Sequence, residues 1–348
     1  MNFLKLKDIA IVLVSILVLF GLFLYVNPGV FFQKLISLSL YTILALVLLF
    51  LIDLTFRVLR WYVLLLSQEH NLPFKALMYP SFAANFLNLI LPGRLGDLIR
   101  LYALRDKYQV TYSVGLSVIV VEQVINLMSL IIVASLAMGL ILISGINLKY
   151  EILNSLLPYA FLGFLIIIAG IALLFIIDPN KFIPLFSFLP EKINAKVVRL
   201  IHTFAFGLKT IKSKFYIFWL ALGSSMIIWI IEGIMIWLLT LHFISPKYEF
   251  QVALFASNIG NLNFLFPVLP GAAGTYELFL AFVLSLSPLY VGTYATSVGF
   301  ADRIIKTAIL AVLGVISLLK LGSDTFTVIR RKTKEVQQIE EVKKEFAD

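Results

Sequence analysis

The sequence predicts an all-α polytopic membrane protein: six spanning helices and two re-entrant helical hairpins, arranged as an inverted-topology repeat. Three observations predict it. Of 348 residues, 61% are hydrophobic and 14% charged, with a mean hydropathy of +1.01, whereas a soluble domain is roughly 45–50% apolar and about 25% charged. Six apolar stretches are long enough to cross a bilayer, and two shorter ones end in Pro-Gly. Landmarks around those Pro-Gly pairs recur in both halves of the chain. The composition excludes a conventional soluble enzyme and disorder over most of the length. With no cysteine there is no disulfide, thiol nucleophile or thiolate metal site. The net charge of +9 resides in loop lysines and arginines, which points to membrane topology and away from nucleic acid.

A helix needs about 20 apolar residues to cross roughly 30 Å of hydrocarbon. The stretches that qualify are 9–26, 37–66, 111–143, 155–177, 215–243 and 290–319. The first resembles a signal peptide, but Val26, Asn27 and Pro28 follow it in place of a small-residue cleavage site, so it is expected to stay as a span. The stretches 77–91 and 252–269 are too short to cross alone and end in helix-breaking Pro-Gly pairs, so they are expected to be re-entrant. The positive-inside rule supports this. With both stretches re-entrant, Lys5, Lys7, Lys75, Arg105, Lys107, the Lys181–Lys214 cluster and the tail from Lys320 face the cytoplasm, while Lys34, Lys149 and Lys247 face out. Two full crossings would instead place the Lys181–Lys214 cluster outside. The expected organisation is a first membrane repeat over 1–150 with a cytoplasmic-side hairpin at 77–105, a second over 151–320 with an outer-side hairpin at 250–288, and a charged cytoplasmic tail over 321–348. Both termini are expected in the cytoplasm, and the location is the cell membrane. The 178–214 loop mixes Phe182, Leu185, Phe186, Phe188, Val197, Leu200 and Phe204 with basic residues. It reads either as an amphipathic segment on an anionic inner leaflet or as a loop that only sets topology.

The repeat rests on four landmarks. Trp61 precedes Phe74 by 13 residues (74 − 61), and Trp237 precedes Phe250 by 13 (250 − 237). Pro92-Gly93-Arg94-Leu95-Gly96 matches Pro270-Gly271-Ala272-Ala273-Gly274 as PGxxG. Asp97 follows the first directly, and Glu277 follows the second after two more residues. Glu122-Gln123 and Asp302-Arg303 lie 30 and 32 residues beyond the respective prolines (122 − 92 and 302 − 270). With six spans and two hairpins the units run in opposite directions, an architecture of many secondary transporters.

Ionisable side chains at membrane depth cost about 2.5–3.5 kcal/mol each on insertion scales, so each needs a partner or a wet cavity. Asp53, Arg57 and Arg60 share one helical face, either as an ion pair with a snorkelling arginine or as a basic pair for a lipid phosphate. Arg94, Asp97 and Arg100 open a short helix after the first break, where N-terminal amides favour an anion. Asn85 and Asn88, with Asn258, Asn261 and Asn263 in the second half, either satisfy backbone within the membrane or line a path for a sugar or phosphate. Asp302 and Lys306 are spaced to pair. Glu122 has no cationic neighbour in sequence and must find Arg94 or Arg100 in space, or be protonated. Glu232 and Glu277 are further carboxylates suited to pairing or to proton coupling. His70, His202 and His242 are isolated, and no Asp-Asp or HExxH motif occurs, so no catalytic residue, metal or cofactor is expected.

At these residues the sequence resembles the lysylphosphatidylglycerol synthase transmembrane region, also called flippase-like membrane proteins. The pieces that carry the resemblance are Arg57…Arg60-Trp61, the run Asn85 to Asp97, Glu122-Gln123, and Leu269-Pro270-Gly271 through Glu277. It covers nearly the whole chain, and departs from the family's expected pattern at Gln123, where a basic residue is common. In the multiple peptide resistance factors this region resembles a flippase for aminoacylated phospholipids followed by a soluble synthase domain. The segment from Lys320 to Asp348 is too short for such a domain. Other members resemble membrane modules attached to glycosyltransferases that use polyprenyl phosphates. The resemblance implies a translocase for a lipid with a phosphate or other polar headgroup. A scaffold for a glycosyltransferase or lipid-modifying enzyme, and an embedded enzyme acting on a lipid-linked substrate, are the alternatives.

Overall fold

The computed structural model describes residues 20–21, 24–91, 94–176, 179–188, 190–262, 272–289 and 294–345. Residues 9–19, 22 and 23 of the span expected over 9–26 lie outside them, as do Pro92, Gly93, Pro270, Gly271, Asn263 and the first residues of the span expected from 290. The described residues form helices and no strand. The first half comprises α1 (Pro28–Ile36), α2 (Leu40–Ser67), α3 (Phe74–Ile90), α4 (Asp97–Tyr108) and α5 (Tyr112–Ile143). Then come α6 (Glu151–Ile176), a 3-10 segment (Pro179–Phe186), α7 (Glu191–Ser213), α8 (Phe215–Phe243), α9 (Phe250–Asn261), α10 (Thr275–Leu284) and α11 (Tyr294–Glu345).

Among the described residues, four helices are long and apolar enough to cross a membrane: Leu40–Ser67, Tyr112–Ile143, Tyr216–Phe243 and Tyr294–Gly322. The protein is therefore a multi-pass membrane protein. In α6 the apolar run described, Asn154–Gly170, is shorter than a full span. Ser39 and Thr111 start α2 and α5 by accepting hydrogen bonds from the Thr42 and Val114 amides at 3.1 and 3.5 Å, the ordinary means of satisfying a first-turn N–H. The expected loop at 178–214 is mostly helical, and α7 leans on α5 and α8. Leu185, Phe188, Ile193 and Leu200 are exposed along it beside Lys196 and Arg199. The expected boundary at 321 falls inside α11, which runs unbroken to Glu345. No proline follows Pro288, and the Lys, Glu and Gln of the tail favour helix.

The same succession occurs twice: a long helix, a short one, a break, another short one, and a long one. The packing repeats with it. Helices α2 and α8 pack on each other, α3 packs on α11, and α9 packs on α5. Exchanging α2 with α8, α3 with α9, α4 with α10 and α5 with α11 turns every principal contact among these eight helices into another that is present. The two breaks differ in length but share one backbone feature. Arg94 and Ala272, the third residues of the two PGxxG segments, both have positive φ, 57° and 54°, which costs a non-glycine residue energy and is uncommon.

One expected correspondence fails. Trp237 meets Phe250 edge-on with ring centroids 5.6 Å apart, but in the first half it is Tyr62 that meets Phe74, at 5.9 Å. Trp61 is fully buried and lies under Arg100 instead. A one-residue step on a helix turns a side chain by about 100°, so equal spacing in sequence does not ensure equal facing.

The last glycines of the two segments serve different ends. Gly274 has φ 83° and caps α10, a conformation that favours glycine. Gly96 is right-handed, but a Cβ there would lie 2.4 Å from the Ala84 carbonyl oxygen and 2.6 Å from Asn88 Oδ1. Its small size lets α4 begin against α3. Near the opposite end of α3, Lys320 donates to the Tyr79 hydroxyl at 2.7 Å. At the other end of the molecule Lys34 donates to the Phe243 carbonyl at 2.7 Å and sits 3.7 Å from the Tyr294 ring centre. Burial there lowers the Lys34 pKa from its ordinary value.

Gly96→Ala should destabilise the protein by about 1–3 kcal/mol through overpacking. Gly163→Ala, where a Cβ meets nothing within 4 Å, should be neutral or stabilising by up to about 1 kcal/mol. Thermal unfolding of the two variants in the same detergent checks the contrast.

Candidate functional site

Most of the charged residues of the apolar helices meet in one buried lattice. Helix α2 supplies its spine, because Asp53, Arg57 and Arg60 recur at helical spacing on one face. Arg57 Nε donates to Asp53 Oδ2 at 2.6 Å, and its Nη2 reaches Asp53 Oδ1 at 3.3 Å and Glu232 Oε1 of α8 at 2.9 Å. Lys306 of α11 donates to the other Glu232 oxygen and to Asp302 Oδ2. Tyr276 of α10 donates its hydroxyl to Asp302 Oδ2 at 2.8 Å.

The second group begins one turn along α2. Arg60 Nη2 donates to Glu122 Oε1 of α5 at 2.8 Å, and its Nη1 donates to Asn126 Oδ1 and Ser225 Oγ at 2.7 and 3.0 Å. Arg100 of α4 donates to Glu122 Oε2 at 2.8 Å and bridges to Asp97 Oδ1 at 3.0 Å. Arg94 reaches Gln123 Oε1 at 2.9 Å and lies 3.4 Å from Asp97 Oδ2. Asn88 donates to Asp97 Oδ1 at 3.1 Å. A smaller pair closes the second break: Arg303 donates to Glu277 Oε1, and Glu277 Oε2 accepts from the Gly274 amide at 2.8 Å.

The structure thus brings together Arg57, Arg60, Asn88, Arg94, Asp97, Arg100, Glu122 and Gln123 with Asp302, while Glu277 and Arg303 adjoin it through Tyr276. Several sequence expectations change. Arg60 does not snorkel, since its side chain is 4% exposed and bound on both nitrogens of its fork. Glu122 pairs with Arg100 as expected, but its other partner is Arg60, because Arg94 is turned to Gln123. Asp302 and Lys306 do pair. Asn85, Asn258 and Asn261 donate to the carbonyls of Ser81, Leu254 and Ser257, each four residues back in its own helix. In a nonpolar surround that is the nearest acceptor. The first turn of α4, expected to draw an external anion, already holds an acid, Asp97, pinned by two arginines.

Asp53, Glu232 and Lys306 belong to the lattice as well, and it takes in Tyr276 and Ser225, which the sequence does not single out. A signal for Ser225 existed: Ser224-Ser225 interrupts the apolar run of α8. Nothing in the sequence marks Tyr276, whose role depends on where α10 lies against α11.

Charge is divided unevenly. Arg60, Arg94 and Arg100 face two carboxylates, Asp97 and Glu122, which leaves one positive charge. Arg57 and Lys306 face three, Asp53, Glu232 and Asp302, which leaves one negative charge. Arg94 is the most open of the three arginines in the positive group, with 30% of its side chain exposed, against 4% for Arg60 and 7% for Arg100.

The chain matches the family described as the lysylphosphatidylglycerol synthase TM region over residues 9–322. It is 26% identical over 288 residues to the glycosyltransferase AglD of Haloferax volcanii, a match that takes in 75% of this chain and 45% of that protein. It is 27% identical over 212 residues to the UPF0104 membrane protein MJ1078 of Methanocaldococcus jannaschii, covering 60% of this chain and 84% of that one. The chain therefore spans less than half the length of AglD. No solved structure matches it.

Glu122→Gln leaves Arg60 and Arg100 short of a buried counter-charge, and should cost about 3–5 kcal/mol. Lys196→Ala, on the exposed side of α7, should stay within about 0.5 kcal/mol of the parent. Denaturation midpoints in detergent compare the two.

Proposed function

Since the chain belongs to the lysylphosphatidylglycerol synthase transmembrane-region family, we propose that it is a translocase that moves a lipid with a phosphorylated headgroup, a phospholipid or a polyprenyl-phosphate-linked lipid, between leaflets by alternating access. The observation that carries this reading is the unbalanced positive charge of the Arg60–Arg94–Arg100 group, set among apolar helices and reachable at Arg94. An arginine fork matches a phosphate in geometry as well as in charge. Alternating access asks for two equivalent halves, and the exchangeable packing of α2–α5 and α8–α11 supplies them. In this reading the repeats are 1–150 and 151–320, inverted, with six spans, re-entrant hairpins at 77–105 and 250–288, and both termini on the cytoplasmic side of the cell membrane. The basic 178–214 segment rests on the anionic inner leaflet.

A second reading is favoured by one observation, the name of AglD as a glycosyltransferase. In it the chain is a membrane module that serves a glycosyltransferase or lipid-modifying enzyme, either holding it at the bilayer or presenting its lipid.

Exchange of headgroup-labelled lipids in proteoliposomes tests the first reading, with anionic, aminoacylated and polyprenyl-phosphate lipids as probes. Arg94→Ala should slow exchange by about 10- to 100-fold, as expected for one charge-assisted hydrogen bond worth about 1.5–3 kcal/mol, while the protein stays folded. Parental exchange in Arg94→Ala would remove the site, and no exchange of any of the three lipids by folded parent would favour the module.

A further inference from the structure

The negative half of the lattice carries a feature that lipid binding does not use. Its three carboxylates are buried, with Asp53, Glu232 and Asp302 exposed by 0%, 4% and 2%. Their six oxygens can be followed one by one. Both Asp53 oxygens take hydrogen bonds from Arg57. Glu232 Oε1 takes one from Arg57 and Oε2 one from Lys306. Asp302 Oδ2 takes two, from Lys306 and the Tyr276 hydroxyl. Lys306 Nζ lies 2.9 Å from Asp302 Oδ1 as well, but out of hydrogen-bonding alignment, and that oxygen has no hydrogen-bond partner among the described residues. Among the described residues the cluster is short of one positive charge and has one carboxylate oxygen left to receive it.

We infer that the Asp53–Glu232–Asp302 cluster binds one exchangeable proton, carried by Asp302. A metal cation of the calcium type takes about six to eight oxygens, and one is open here, which suits a proton. A buried carboxylate oxygen without a hydrogen-bond donor favours the neutral acid, while the positive excess around Arg60, one turn away on α2, favours the ionised form, so the two opposing demands leave the proton exchangeable.

The groups that face Asp302 come from each element around it. Helix α2 presents Asp53 and Arg57, and α8 presents Glu232. Helix α10 presents Tyr276, together with Glu277, which Arg303 of α11 neutralises. Lys306 comes from α11 itself. Helix α3 packs on α11 through Phe86 at Gly314, and α9 offers Asn258 and Asn261, whose amides are bound to their own helix. Glu122 of α5, one turn of α2 away, is held by Arg60 and Arg100. Among these, no further cation answers the surplus acid. The proton's role in driving translocation rests on the reading above, but its binding does not.

Infrared difference spectroscopy of the full-length protein in lipid nanodiscs, stepped in pH, reads the proton directly. The parent should show a protonated-carboxyl band that disappears as pH rises. Asp302→Asn should lack it and Asp302→Glu should restore it. Asp53→Asn should also lack it, because two carboxylates then face two cations and Asp302 is left ionised. A role for Asp302 in packing alone would not let a change at Asp53 abolish the band. Absence of a titrating band in the folded parent, or its persistence in Asp302→Asn, would overturn the inference, as would its replacement by a dependence on sodium ion. In proteoliposomes, coupling of one proton per lipid should shift the steady-state leaflet ratio about tenfold per unit of imposed pH difference. A titrating band without lipid exchange would uphold the proton site and reject the translocase.

Discussion

Two arginines one turn apart on α2 constrain everything packed around them. Arg57 and Arg60 lie on a helix that is long and apolar enough to span a membrane, and a guanidinium cannot shed its proton to escape the cost of leaving water. Each must therefore find acids. Asp53 is within reach on α2 itself, but the others come from distant sequence: Glu232 from α8 for Arg57, and Glu122 from α5 for Arg60. Those acids carry their own demands, and Glu232 brings in Lys306 of α11 while Glu122 brings in Arg100 of α4. Satisfying α2 thus fixes the relative register of five helices. Hydrophobic packing alone would not do so, because lipid tails are as apolar as leucine and reward one helix contact little more than another.

The legible part of the sequence was what depends on one element at a time. The long apolar helices follow from length and composition, and α2, α5 and α8 end within a turn of where the sequence puts them. Ion pairs four residues apart, Asp53–Arg57 and Asp302–Lys306, follow from helical spacing. Of the pairs between helices only Glu122–Arg100 was among those the sequence offers, because a partner's identity depends on the rotation of both helices. Glu122 shows the limit: the sequence asks for a cation, Arg94 or Arg100, or for a proton, and only the packing of α2 on α5 selects Arg60. Trp61 shows it differently, since its spacing to Phe74 matches that of Trp237 to Phe250, yet Tyr62 makes the contact. The PGxxG segments stood out as breaks, while the reasons for their final glycines, a positive φ at Gly274 and a carbonyl against Gly96, need the folded neighbours.

Backbone and charge follow different symmetries. Helix order, packing and the left-handed residues Arg94 and Ala272 agree between the halves. The side chains do not: an arginine at one left-handed position is an alanine at the other, and Gln123 stands where Arg303 does. Each half still centres on an acid of its last long helix, Glu122 or Asp302. The first collects an excess of arginines, and the second is left with an excess of carboxylates.

Among the described residues the lattice has six bases, Arg57, Arg60, Arg94, Arg100, Arg303 and Lys306, and six acids, Asp53, Asp97, Glu122, Glu232, Glu277 and Asp302. It therefore carries no net charge among apolar helices, where a net charge is most costly. What remains is a separation of charge along α2, positive around Arg60 and negative around Arg57. Three residues of helix advance only about 4.5 Å, so each excess stabilises the other, and neither end could be neutralised by substitution without exposing its opposite. The same balance that makes the folded core tolerable keeps two oppositely charged sites within one turn of each other.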